Sequence, residues 1–134
     1  MRFLADSKEY SLDKEHFGDF LNDEENPIKD IDEDYILEIL KGKKLDFEKA
    51  YYNYSCVNCK SEKQGKSKAY EFYEYHFYLY TKDGVVVSNS FQTEEGESYA
   101  RLEKVGKVNN SYIVSIIICA ECGYFEIEIE EFEV

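Results

Sequence analysis

Residues 68–81 read KAYEFYEYHFYLYT, and the fold turns on how this run is read. Its side chains sort at a period of two. Tyr70, Phe72, Glu74, His76, Tyr78 and Tyr80 share one side, and Glu71, Tyr73, Tyr75, Phe77 and Leu79 share the other. That alternation, rich in aromatic residues, is the signature of a strand. Both sides are aromatic, which predicts a central strand with one face on helices and the other half-covered by cross-strand aromatic pairs. A stacking platform for bases, sugars or peptide is the competing use of such a face. Lys82-Asp83-Gly84 then turns the chain into Val85–Phe91, a strong hairpin signal.

Further along, Tyr99–Val108 and Tyr112–Cys119 read as a second hairpin around Asn109-Asn110, and Gly123–Val134 as the last strand. In that strand Phe125, Ile127 and Ile129 alternate with Glu126, Glu128 and Glu130, which predicts one buried and one wet face. Upstream, Lys44–Ser55 reads as extended and Arg2–Leu4 as a short strand. Leu12, Phe17, Phe20 and Leu21 fall roughly on one helical face, so a helix over Leu12–Asn22 is expected, capped by Ser11. A second helix is better signed. Asp32 can cap it, Ile31 can staple against Ile36, Glu33 and Asp34 suit its first turn, and Lys41-Gly42 ends it. The expectation is an α+β fold of one domain over 1–134. Two N-terminal helices in a mainly helical 1–44 pack on an antiparallel sheet of about five to seven strands, with 45–134 the β part.

Composition narrows the function. The chain has 134 residues and a formal net charge of −13, from 16 basic and 29 acidic side chains. The acids are spread along its length. Such a surface repels phosphate backbones, and Arg2 and Arg101 are the only arginines, so nucleic-acid binding is disfavoured. A basic face for a membrane surface is missing too, and no apolar run is long enough to span one. Asp6 and Glu9 stand where a signal peptide would be apolar, so a cytoplasmic protein is expected. A single Pro, no Trp and abundant Lys, Glu, Asn, Ile, Tyr and Phe suggest an AT-rich bacterial genome.

All four cysteines fall in one pattern: Cys56-Val57-Asn58-Cys59 and Cys119-Ala120-Glu121-Cys122, each between expected strands. A C-x-x-C turn brings two sulfurs to one side of the chain, and Gly123 suits a left-handed position closing the second turn. Two such knuckles facing each other make a closed four-thiolate site suited to one structural Zn²⁺, with Cys56, Cys59, Cys119 and Cys122 as ligands. Iron accepts the same four thiolates. A disulfide pair fits an oxidising compartment, and a redox dithiol needs a helix N-terminus that these strands do not supply.

The arrangement resembles a zinc ribbon over Cys56–Cys59 and Cys119–Gly123 with their flanking strands. It departs from that pattern at Lys60, where a small residue is usual, and in the 59 residues between the pairs. The chain also resembles short acidic two-knuckle proteins of unknown function in low-GC Gram-positive bacteria, which implies no activity.

The remaining features are weaker. Lys60, Lys63, Lys66 and Lys68 form a basic cluster beside the first knuckle, a possible contact loop or simply a solvated one. Asp30, Asp32 and Asp34 have alternate spacing, but Tyr35 stands where a calcium loop needs Gly, and helix capping accounts for them. His16 and His76 lack metal spacing to either Cys pair and read as packing or surface residues. No nucleophile elbow or phosphate loop is present. The expectation is a protein-interaction or regulatory module with a structural zinc and a basic protein partner, rather than an enzyme. A nucleic-acid-binding zinc ribbon and a thiol redox protein are the alternatives.

Overall fold

A computed structural model describes residues 2–5, 8–43, 45–52, 70–91 and 98–132. In chain order the elements are β1 (Arg2–Ala5), β2 (Lys8–Ser11), β3 (Phe17–Leu21), α1 (Glu33–Leu40), β4 (Glu48–Tyr52), β5 (Tyr70–Lys82), β6 (Val85–Asn89), α2 (Tyr99–Lys104), β7 (Asn110–Cys119) and β8 (Phe125–Glu131). β1 and β2 form a separate antiparallel pair. The other six strands make one sheet ordered β3-β8-β7-β5-β4, with β6 paired to β5 beyond β4.

β5 is the spine of the sheet. It pairs antiparallel with β7 over Phe72–Thr81, with β4 at its first half and with β6 at its second. The alternation of its side chains divides them between two faces. Tyr73, Phe77 and Leu79 join the main core, together with Val114, Ile116 and Ile118 of β7 and Phe125, Ile127 and Ile129 of β8. Ile36 and Leu40 of α1 are fully buried against this face. On the other face Phe72 and Tyr80 are buried in two smaller clusters, one at each end of the sheet. The run is thus a core strand, and no continuous bare aromatic platform exists among its described residues.

α1 follows from its caps. The Asp32 side chain accepts a hydrogen bond from the Tyr35 N–H at 2.9 Å, and Glu33 and Asp34 fill the first turn. Gly42 takes φ +76 just beyond the end. Replacing Asp32 with Ala should cost about 1 kcal/mol, read as a lower urea midpoint at unchanged m-value.

The architecture differs from the expected α+β arrangement in three places. The first is the helix expected over Leu12–Asn22, which is strand β3. Asp13 accepts hydrogen bonds from the His16 N–H through both its side chain and its carbonyl, closing one turn, and the chain then runs extended. The register slips between Phe17 and Phe20, and both rings pack against the core. The spacing of Leu12, Phe17, Phe20 and Leu21 suits a helix, but an irregular strand buries the same rings. Gly18, poor in a helix interior, was the contrary signal.

Second, the sheet is mixed, because β3 pairs parallel with β8. Third, the strand expected over Tyr99–Val108 begins as helix α2. Ser98 Oγ accepts from the Arg101 N–H and caps it, and Gly106 takes φ +76 after it. The expected hairpin at Asn109-Asn110 is therefore absent, and those residues enter β7 directly. The structure is mainly β, with one helix in the N-terminal third and a short one later, and not two N-terminal helices on a sheet. The expected joining of two knuckles in a metal site is likewise not seen. Among the described residues no group of three or more His, Cys, Asp or Glu is assembled to hold a metal, and Cys56 and Cys59 lie outside them.

Candidate functional site

The second cysteine pair is the tip of a hairpin between two central strands. β7 ends at Cys119, the chain turns through Ala120–Tyr124, and β8 begins at Phe125. The Gly123 N–H donates to Cys119 O at 3.0 Å, and the Cys119 N–H donates to Tyr124 O at 2.9 Å. Gly123 has φ +80, the left-handed geometry that closes such a turn. A Cβ there would lie 3.6 Å from His16 and Tyr10, so space is not the obstacle and conformation is. Gly123→Ala should cost about 1 kcal/mol and misalign the Cys119–Cys122 turn. Thermal melts of the two proteins would read it.

Three neighbours hold the turn in place. The Tyr10 hydroxyl donates to Ala120 O at 2.8 Å. The Ala120 N–H donates to Glu71 O at 3.3 Å, and the Phe125 N–H donates to His16 O at 2.9 Å. His16 Nδ1 lies 2.7 Å from Asp13 Oδ1. Sequence spacing gave His16 no relation to the cysteines. The parallel β3–β8 pairing brings it beside Gly123, and no local pattern could have revealed that.

The surroundings of the pair are apolar. Cys119 is buried and Cys122 half-buried, in a cluster with Phe72, Ile117, Tyr52, Tyr70 and Tyr124. Gly18 adjoins this cluster, because an added Cβ would overlap the Tyr124 ring. Two members matter for connectivity. Tyr52 ends β4, Tyr70 starts β5, and they are register partners. Phe72, two residues on, is the register partner of Cys119. The segment bearing Cys56 and Cys59 thus leaves and re-enters the described structure beside Cys119. Cys56 and Cys59 themselves, and the expected contact lysines Lys60, Lys63, Lys66 and Lys68, lie outside the described residues.

The outward face of the sheet carries a second feature. Glu48, Glu74, Ile117 and Glu126 form one cross-strand row, His76, Ser115 and Glu128 the next, and Tyr78, Ile113 and Glu130 a third. His76 lies 3.1 Å from Glu74 and 2.9 Å from Ser115 Oγ. Burial, then the nearby Asp19 and Glu128 charges, raises the Glu126 carboxyl above its ordinary range. Burial, then Glu130 and Glu74, does the same for Glu128. The β8 alternation showed these acids to be outward, but only the register shows them to be neighbours of Glu74 and Glu48. Ser115, His76 and Glu74 thus form a chain of hydrogen-bonding groups across β7 and β5.

Asp23, in the 22–28 loop, has a structural role. Asp23 accepts from the Glu25, Asn26 and Glu131 N–H groups, and those bonds hold its carboxyl below the usual range. They anchor the loop to the end of β8. No helix among the described residues is long and apolar enough to cross a membrane.

A mainly β sheet with one face closed by a helix, and a Cys-x-x-Cys hairpin at one end, defines the class of this protein. The chain belongs to the family described as "Protein of unknown function (DUF3785)", whose family model matches residues 1–134. No curated protein and no solved structure matches the chain.

Proposed function

We propose that this protein binds one structural Zn²⁺ through Cys56, Cys59, Cys119 and Cys122, and that the metal clips a sheet whose acidic surface works by contact with a basic protein partner. The observation that carries the reading is the register Tyr52↔Tyr70 and Phe72↔Cys119. Cys56 follows Tyr52 by four residues, so the chain keeps its Cα within roughly 14 Å of the Tyr52 Cα. Tyr52 in turn packs in the cluster that holds Cys119 and Cys122.

Chemistry supports the metal. Thiolates in an apolar pocket are costly unless neutralised, and a tetrahedral Zn²⁺ does this while leaving no open position for catalysis. A basic partner fits the net charge of −13. The test is metal content by mass spectrometry on untagged protein purified without added metal, with thiols counted before and after chelation. One zinc per chain and four thiols accessible only after chelation is the expected result. No metal with reactive thiols, or two disulfides, would overturn it in favour of redox chemistry. One iron per chain would replace the metal and keep the site.

A further inference from the structure

From the outward face of the β5–β7–β8 sheet, we infer a docking surface for a lysine- or arginine-rich segment of a partner protein, received across Glu74, Glu126, Glu128 and Glu130. This deepens the proposed basic partner and rests on that reading.

Three observations carry it. First, the middle of the face is open. His76, at its centre, has a side chain 41% exposed, although it sits halfway along β5. Second, the charge is one-sided. Among the described residues of the three rows, no lysine or arginine stands beside the glutamates. Glu48, Glu74 and Glu126 share a row, and Asp19 lies near Glu126. Like charges at neighbouring cross-strand positions destabilise a sheet, so folding alone does not account for this array, and a cationic ligand would relieve it.

Third, aromatic groups flank the glutamates along the strands. The half-buried Tyr70 and Tyr124 lie at one end, and Tyr78 with the exposed Phe132 ring, 5.5 Å away, toward the other. Aromatic anchors around a polar centre are the usual anatomy of an interface. From Glu74 to Tyr78, between the two buried clusters, the face runs roughly 14 Å, with strands spaced at about 4.8 Å. That suits one short segment better than a folded domain, and a transient contact better than a permanent one.

The test uses isotope-labelled full-length protein and a lysine-rich peptide with an aromatic residue near each end. Amide shifts should cluster on β5, β7 and β8, and the affinity should fall as salt is added. The triple variant Glu126→Gln, Glu128→Gln, Glu130→Gln should bind about tenfold more weakly, the combined effect of three partly exposed ion pairs. It should also melt no lower than the parent, because it loses repulsion and no contact.

A control triple on exposed acids elsewhere, Glu15→Gln, Glu24→Gln, Glu38→Gln, should bind as the parent does. Equal weakening in both triples, or shifts spread over the whole surface, would overturn the docking surface and leave the basic-partner reading standing. No saturable binding by the parent would overturn both. Saturation of the same amide shifts by Mg²⁺ alone would make the face a cation site and overturn the docking proposal.

Discussion

Serine in place of Cys122 should release the metal and lower the melting temperature by about 10 °C. The loop that the proposed site would close between Cys59 and Cys119 is long, and on the chain-entropy model such a closure restricts the unfolded chain by about 4 kcal/mol. For a domain of this size each kcal/mol moves the midpoint by a few degrees. Structural metal sites couple to folding at least as strongly, because their ligands come together only in the folded chain. Cys122 is a better probe than Cys119, whose burial would make a serine hydroxyl costly with or without a metal. Chelating the parent should reproduce the drop, and the variant should then be insensitive to chelator. A variant that keeps both its metal and its melting temperature would sink the four-cysteine reading.

Truncating Phe125 to Ala should remove about 4 kcal/mol of stability, a large share of the 5–15 kcal/mol that holds a domain of this kind together. Phe125 is fully buried at the start of β8, where the sheet gains its parallel neighbour. Its ring lies 5.5 Å from that of Phe17, and its N–H donates to His16 O. The truncation leaves a cavity beside the Phe17 ring of β3 in a close-packed core. Phe125→Leu should cost much less, since most of the volume is kept. Urea titration would measure both. A loss below about 1 kcal/mol for the alanine variant would mean that β3 does not seal this end of the core.

The outward glutamates also shape the pH profile. Glu126 and Glu128 have carboxyl pKa values raised in the folded state. Their ionisation is therefore disfavoured by folding, and the penalty is full above the folded pKa. It lifts as pH falls through that value and is gone below the unfolded one. The charges that face them are Glu130 on the same strand, Glu74 on β5 and Asp19 on β3. Asp13 and Asp23 act oppositely. Their carboxyls are lowered by hydrogen bonds from His16 and from the Asn26 and Glu131 backbone, so their contribution is lost as pH falls through the folded value. From neutral to mildly acidic pH, stability should accordingly rise in the parent and stay flatter in the Glu126→Gln, Glu128→Gln variant, which has no such penalty to lift. The aspartate losses follow only at more acidic pH, in both proteins alike.

What the sequence determined by itself was local. The caps of α1, the Lys82–Gly84 turn, the two-sided character of β5 and the outward glutamates of β8 are all written within a dozen residues. Each rests on a property of the backbone or of side-chain periodicity that needs no distant partner. The two misread segments fail for the same reason. Leu12–Leu21 and Tyr99–Val108 each carry a pattern that two structures satisfy. In one case the pairing of β3 with β8, more than a hundred residues away, selects the strand. In the other the Ser98 cap and Gly106 enclose a single helical turn and a half, too short for its period to show.

The site divides along the same line. The C-x-x-C spacing and the left-handed Gly123 were legible, because a knuckle is a local turn. That the first pair's flanking residues, Tyr52 and Tyr70, stand beside Cys119 is a matter of strand order and register, as is the meeting of Glu48, Glu74 and Glu126 in one row. Strand order is set by which faces can be buried together over the whole chain. Only the tertiary structure decides it, because the free energy of burial depends on contacts that no segment can make alone.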